Sequence, residues 1–545
     1  MTVSTTFISL LPEIILVTAG CLFILAGSFS LPRNIWGMLG VVVFAIAGVA
    51  EWKLTKLVAL WAPPAEVDPG LVLIDPMSVL FQMSFLAIGA LFCLAAIQDR
   101  DDHANAPEFY GLLLIVIAGL MLVCCANELI LLFLGLELIS IPMYVLLYLG
   151  RHGYGSQESA VKYFLLSVAS AAVLLYGFCL LYGVTGSTNL ADIRTILASS
   201  VRATAETTVP LVPSRMAMVS LVLILAGLGF KITAVPFHFY APDVYQGTNA
   251  WNAGLLAVVP KAAGLIAIVR IVSFSLPGLE LTGETTALIM ALFTMTLGNV
   301  LALLQTNIRR MLAYSSIAHA GYMLVGISVG FWEKLHPGLT GDSMFGLPGG
   351  IQSSLFYLLA YSLVSTGLFA VLVSLSRGDR QVEEVEELTG LWKVQPVPAI
   401  CAAIFLFSLA GIPPLPGFWG KLAVFASALG VRGDSATLIP LPSGWFVILA
   451  VVGVLNAAIG AVYYLRVIAL MFLYDPPAKQ PPRATGATQF AVVLATVATV
   501  WLGVQSEPLF EAVRGISFPG NPGQITQRDV KSAPVAQVRL PREHD

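Results

Sequence analysis

Charge is what this chain has least of. Only 11% of its 545 residues are Asp, Glu, Lys or Arg, against roughly 25% in a soluble domain. Hydrophobic residues make up 57% and the mean hydropathy is +0.86. So few polar residues cannot cover a water-soluble globule of this size, which excludes that class. The apolar segments are continuous rather than alternating, which excludes a transmembrane β-barrel. The net charge of −3 says nothing about nucleic acid, and no basic cluster or aromatic-basic groove is present to bind one. The six cysteines (Cys21, Cys93, Cys124, Cys125, Cys179, Cys401) lie in apolar runs, and none forms a C-x-x-C pair. Ligand spacing for zinc or an iron–sulfur cluster is missing. These cysteines are expected to be small buried hydrophobes, and the chain is expected to carry no redox centre. No G-x-G-x-x-G stretch occurs either, and the glycine-rich "LGRHGYGS" joins two apolar runs as a turn. The N-terminus lacks a basic region, and its apolar run continues to about Phe29, too long for a signal peptide.

What is present is a series of apolar runs. About 20 residues cross a bilayer, and on that ruler about fourteen spans start near residues 7, 36, 72, 109, 129, 157, 216, 252, 285, 311, 351, 399, 443 and 487. The expected fold is an all-α polytopic membrane protein. Residues 507–545 are polar and proline-rich and are expected to form a mobile tail. Ten Lys and Arg of the short loops fall on the side of Arg33, with Arg100, Arg151, Arg309, Arg310, Arg377, Arg380, Lys393, Lys479 and Arg483. Seven fall on the other side. The bias is weak and places both termini outside.

Six basic residues lie within spans: Lys162, Lys231, Lys261, Arg270, Lys421 and Arg466. A charge in hydrocarbon costs a few kcal/mol or more, so each needs an account. Arg270 and Arg466 stand toward span ends and are expected to snorkel. Lys162, about one turn into its span, fits snorkelling and function equally. Lys231, Lys261 and Lys421 are too deep to snorkel. The acidic counterpart is Glu137 in "ANELILLFLGLELISIPMY"; Glu128, nine residues earlier at the helix start, faces the opposite way. His319 follows Ser315 and Ser316 by about a turn, which suits either a bonded core histidine or a hydrated relay. Burial favours the neutral form of lysine and glutamate, and a facing opposite charge restores the ionised form. One acid and several lysines along a membrane interior therefore describe a proton path.

Two spans are interrupted. "GLGFKITAVPFHFYAPDVYQG" sets Pro236 and His238 just after Lys231. "FSLAGIPPLPGFWGKLAVF" sets Pro413, Pro414 and Pro416 just before Lys421. Proline removes a backbone donor and obstructs the carbonyl a turn earlier, and the freed carbonyls must face protein or water. At the first break they are expected to reach Lys231, with His238 continuing the path. Lys231 and Lys421 are 190 residues apart, an odd number of spans, so the two breaks point to inverted repeats. The expected division is residues 1–108 for the first three helices, 109–275 and 285–475 for two inverted five-helix repeats, 487–506 for a last helix, and 507–545 for the tail.

These motifs resemble the subunit-N family of bacterial NADH–quinone oxidoreductase, respiratory complex I, called subunit 2 in mitochondria. The resemblance runs from "LLPEIILVTAG" to about the last span. Its most specific pieces are "FLGLELISIPMYVL", "ESAVKYFLLSVASAA", "FKITAVPFHFYAPDVYQG", "RRMLAYSSIAHAGYMLVG" and "LAGIPPLPGFWGKL", and "PDVYQG" separates it from the paralogous subunits L and M. The resemblance implies a proton-translocating, antiporter-like subunit of the bacterial inner (plasma) membrane. Glu137 and Lys231 would form the pair of the first half-channel. Lys261 would be the central-axis lysine, and Lys421 the exchange residue of the second half-channel. His238 and His319 would add to the water-linked path. NADH, FMN, iron–sulfur clusters and quinone would bind other subunits, with neighbouring membrane subunits as partners. The alternative is a subunit of a multisubunit cation/proton antiporter without redox coupling, which the interior charges fit equally well.

Overall fold

The computed structural model describes residues 3–28, 32–61, 70–97, 105–149, 154–205, 215–273, 276–336, 346–376, 381–431, 441–476 and 486–516. The first group of helices is α1 (Val3–Ser9), α2 (Leu11–Leu25), α3 (Arg33–Trp61), α4 (Pro76–Ala96), α5 (Ala106–Cys125), α6 (Leu129–Leu149) and α7 (Tyr154–Thr185). Then come α8 (Leu190–Ala205), α9 (Arg215–Lys231), α10 (Ala241–Gly247), α11 (Ala250–Ser273), α12 (Glu280–Leu303), α13 (Ile308–Leu335) and α14 (Gly350–Ser374). The chain continues through α15 (Leu391–Val394), α16 (Pro396–Ala410), α17 (Pro416–Leu429), α18 (Leu441–Leu473), α19 (Gly486–Val504) and α20 (Glu507–Arg514). Among the described residues, twelve helices are long and apolar enough to cross a membrane. The two interrupted spans supply shorter pieces, α9 and the pair α16–α17. Every expected span start falls within about five residues of a helix start.

Burial sorts the helices into two layers. The apolar window of α11 is fully buried, and those of α13 and α14 nearly so. A helix apolar all round belongs inside, surrounded by others. The outer helices α2, α3, α7, α12, α18 and α19 keep large apolar side chains such as Leu25, Phe164, Phe293 and Trp501 on the outside, as a bilayer solvent requires. Close helix approach relies on small residues and hydroxyls. Ser170 of α7 donates to the Gly227 carbonyl of α9 at 2.9 Å, and Ser220 of α9 donates to the Gly177 carbonyl of α7 at 2.8 Å.

Several expectations are corrected here. Arg270 does not snorkel. It is 2% exposed and forms a two-pronged pair with Asp75, Nη1–Oδ2 2.7 Å and Nη2–Oδ1 2.9 Å, while also donating to the Cys124 carbonyl. Asp75 is itself the N-cap of α4, accepting from the Ser78 amide at 2.7 Å. The fork of a guanidinium matches a carboxylate, so burial is tolerated when both partners are present. Arg270→Met is expected to destabilise the subunit by about 3–5 kcal/mol, because Asp75 is left without its cation. In a thermal-stability assay of the purified complex, Arg270→Met/Asp75→Asn is expected to recover most of that loss.

Arg309, counted above among loop cations, is buried and donates to the Thr248 carbonyl and to Gln381. Of the other cations used for orientation, Arg100, Arg151, Arg377, Arg380, Lys479 and Arg483 lie outside the described residues. Arg466 is exposed on the surface of α18. Cys21 and Cys179 are exposed rather than buried; Cys93, Cys124, Cys125 and Cys401 are buried. The start of the expected mobile tail is helical. Phe510 of α20 stacks on Phe356 of α14, with ring centroids 4.0 Å apart, because α20 has an apolar side to bury. Residues 517–545 lie outside the described residues.

Candidate functional site

The three deep lysines and the histidine stand on the inner helices. Lys231 is the last residue of α9 and is 2% exposed. Its Nζ donates to Ser140 Oγ at 2.7 Å and Ser167 Oγ at 3.0 Å, and lies 3.8 Å from Glu137 Oε1. The distance to the carboxylate makes an ion pair without a hydrogen bond. Glu137 is one turn before Ser140 on α6, so acid and hydroxyl present together to Lys231. Its side chain is only partly buried, where a fully buried acid was expected, and its Oε1 has no hydrogen-bond partner.

The first break differs from expectation. Its freed carbonyls do not reach Lys231. The Leu228, Gly229 and Phe230 carbonyls accept from the Ile232, Ala234 and Thr233 amides at 3.0, 2.8 and 3.0 Å. Tyr240 Oη also donates to the Phe230 carbonyl at 3.0 Å. The loop closes on itself, and Thr233 adopts φ +59°, a left-handed conformation that a β-branched residue rarely takes. The Val235 amide is held by Thr294 Oγ1 of α12 at 2.9 Å. Pro236 stands in this loop. His238 is half-buried beyond it, with an unpartnered Nδ1, and makes no contact with Lys231 recorded among the described residues.

At the second break the freed carbonyls do meet the lysine. Helix α16 ends at Gly411, whose φ of +89° needs a glycine. Pro413 and Pro414 fill the turn and Pro416 opens α17. Lys421 Nζ reaches back across the break to the Leu409 and Ala410 carbonyls at 2.8 and 3.0 Å. A helix C-terminus carries partial negative charge, so the cation is seated at a favourable pole. The same Nζ lies 5.3 Å from the Tyr322 ring centroid, within cation–π range.

Between these ends lies a hydroxyl-rich row. Lys261 of α11 donates to Ser316 Oγ, and Tyr361 Oη donates to the same oxygen at 2.8 Å. His319 Nδ1 is 2.6 Å from Tyr357 Oη, and its Nε2 is 3.0 Å from Tyr464 Oη, which bonds Ser315. Both ring nitrogens are therefore engaged, and the histidine is within electrostatic reach of Lys261 and Lys421. Gly264, three residues after Lys261 on α11, packs against Lys231: a Cβ there would sit 3.1 Å from Lys231 Cβ. Lys231, Lys261, His319 and Lys421 are all buried, and Glu137 stands beside Lys231.

Lys162 is not among these buried groups. It is 40% exposed and pairs with Glu158 at 2.7 Å and with Asp243 at 3.1 Å. Asp243, in the short α10 of "PDVYQG", also binds Arg310 of α13 at 2.7 Å. The motif therefore straps α7 to α13. Burial pushes the Asp243 carboxyl up, but Lys162 and Arg310 together hold it below the usual 3.8. A depressed folded-state value contributes stability that is present above 3.8 and lost as pH falls below it. Amide exchange of Val244–Gly247 is expected to accelerate in that acidic window. In Asp243→Asn the acceleration is expected to be present already at neutral pH.

Sequence reasoning missed the tyrosines and two serines. Tyr357 and Tyr361 are four residues apart on α14 and share a face; paired tyrosines inside an otherwise apolar span were the available signal. Ser140 carried only its one-turn spacing from Glu137, and Ser167 of α7 carried none.

The family model described as NADH:quinone oxidoreductase/Mrp antiporter, TM, matches residues 126–446. A Roseiflexus castenholzii protein named NADH-quinone oxidoreductase subunit N 2 is 35% identical, with 89% of this chain and 90% of the relative covered. A Myxococcus xanthus protein named NADH-quinone oxidoreductase subunit N is 36% identical, over 92% and 96%. Among solved structures, a chain of respiratory complex I from Thermus thermophilus superposes with a TM-score of 0.69 at 29% identity, covering 93% of this chain and all of that one. A chain of the Mrp complex from Dietzia sp. shares the fold, with a TM-score of 0.75 at 21% identity over 94% and 97%.

Proposed function

The chain belongs to the NADH:quinone oxidoreductase/Mrp antiporter transmembrane family, and we propose that it is the subunit N of a proton-translocating NADH–quinone oxidoreductase. The observation that carries this reading is the set of protonatable groups made up of the Glu137–Lys231 pair, Lys261, His319 and Lys421. A lysine ammonium donates a proton and its neutral amine accepts one, while hydroxyls and an imidazole do both. Glu137 sets the charge state of Lys231, and the carbonyls at the second break hold Lys421 until its proton leaves. His238 extends the route beyond the first break, and Lys162 serves the α10 strap. The two interrupted spans are the matching members of inverted repeats 109–275 and 285–475. NADH, FMN, iron–sulfur clusters and quinone bind other subunits, and neighbouring membrane subunits pack on this one. The complex lies in the bacterial inner membrane with both termini of this chain outside.

The test is NADH-driven proton transport in vesicles carrying the assembled complex with Lys421→Ala. Transport per quinone reduced is expected to fall while the complex still assembles. Undiminished transport would remove Lys421 from the route. Sodium-dependent proton flux without NADH or quinone would instead establish the redox-uncoupled antiporter reading.

A further inference from the structure

The N-terminal helices hold two carboxylates outside the route proposed above. Glu13 stands in the first turn of α2, and Glu51 stands well inside α3, which packs on α2. Glu13 is 6% exposed and Glu51 1%. Glu13 Oε1 accepts from Gln82 Nε2 of α4 at 2.8 Å, and that amide also donates to the Met121 carbonyl at 3.2 Å. The Cys125 thiol of α5 approaches the same oxygen at 3.9 Å. Glu13 Oε2 and Glu51 Oε1 are buried and have no hydrogen-bond partner, and the two acids interact electrostatically.

No cation among the described residues is recorded as pairing with either acid. From α5 the facing titratable groups are Cys124 and Cys125. Asp75 at the start of α4 and Arg270 of α11 are nearby but already bind each other. Lys53 and Lys56 of α3 are exposed, and Lys56 lies over the Trp52 ring. Arg33, on the same helix, donates to the Ala96 carbonyl. Helix α1 carries no charged residue. A bare carboxylate in such surroundings costs several kcal/mol even after relaxation. A bound proton removes the charge and turns an orphan acceptor into a donor. An ionisable pair inside a membrane protein is by default a functional site.

We propose that Glu13 and Glu51 form a proton-binding site of the N-terminal helices, whose carboxyls take up protons and release them to solvent. Gln82 orients Glu13, and the unpartnered oxygens of the two acids are where the protons reside. This site lies on α2 and α3, apart from the lysine series on α9, α11, α13 and α17, and the inference does not depend on the proton-route reading.

The test is infrared difference spectroscopy of the assembled complex in liposomes between acidic and alkaline pH, read at the carbonyl stretch of protonated carboxylic acids. Glu13→Gln and Glu51→Gln are each expected to remove part of the titrating band, and the double variant both parts. Glutamine mimics the neutral acid, so all three variants are expected to assemble at native levels. If one single variant fails to assemble, the other carries the test. Spectra of the single variants that superpose on the native spectrum would overturn the proposal, and so would loss of assembly in both.

Discussion

Lys231→Arg is expected to leave assembly intact and to abolish proton transport through this subunit. Arginine keeps the positive charge beside Glu137 and Ser140 but does not release a proton at any pH the complex meets. At the 3.8 Å separation seen here, a pair of unit charges interacts by on the order of 4 kcal/mol at an effective dielectric of 20, and half that when the gap doubles. That leverage lets small movements of α6 against α9 load or unload the lysine. A fixed charge cannot respond. The loss of a positioned proton-transfer group lowers rates on the order of a hundredfold or more, and transport through this route is expected to fall accordingly. The measurement is proton uptake against quinone reduced in vesicles. Lys231→Ala loses the charge as well and is expected to perturb Glu137 besides transport. Normal transport with Lys231→Arg would show that charge alone matters and that Lys231 passes no proton.

Gly417→Ala is expected to prevent accumulation of the folded subunit. Gly417 is the second residue of α17, immediately after the second break. A Cβ there would lie 1.9 Å from the Ser408 carbonyl oxygen and 2.8 Å from the Ser408 carbonyl carbon. Both are backbone atoms of α16, so no side-chain rotation relieves the clash. The two half-helices would have to separate, and the seat of Lys421 on the Leu409 and Ala410 carbonyls would open with them. A loss above about 4 kcal/mol is expected, in the range reached only by a few mechanisms. Gly48 of α3 is the control, with nothing within 4 Å of its would-be Cβ. Gly48→Ala is expected to be neutral or to stabilise by up to about 1 kcal/mol through helix propensity. Membrane levels of the two variants, compared by quantitative immunoblot, check both expectations.

The span positions and the two breaks were legible because bilayer thickness and proline chemistry act locally. About 20 apolar residues are needed to cross, and Pro236 and Pro413–Pro414 each remove a backbone donor and crowd the preceding turn, although Pro142 and Pro260 sit inside continuous helices. The deep lysines were legible for a related reason, since a charge far from both interfaces has no cheap explanation. Arg270 was misread because its partner Asp75 stands 195 residues earlier in the chain. Nothing local distinguishes an arginine that snorkels from one that meets a carboxylate across three helices. Lys162 had the same ambiguity until α10 brought Asp243 to it.

Composition and spacing by themselves determined that this chain is a bundle of membrane helices, where those helices begin, and that Lys231, Lys261 and Lys421 must be kept inside. Only tertiary structure decided what those charges touch. The two breaks look alike in sequence, yet one closes on its own amides and the other offers its carbonyls to Lys421. The tyrosines around His319 come from α14 and α18, helices far apart in the chain. Hydrophobicity acts through the amount of apolar surface and can be read along the sequence. Hydrogen bonds and ion pairs act through distance and direction, which exist only after the helices have packed.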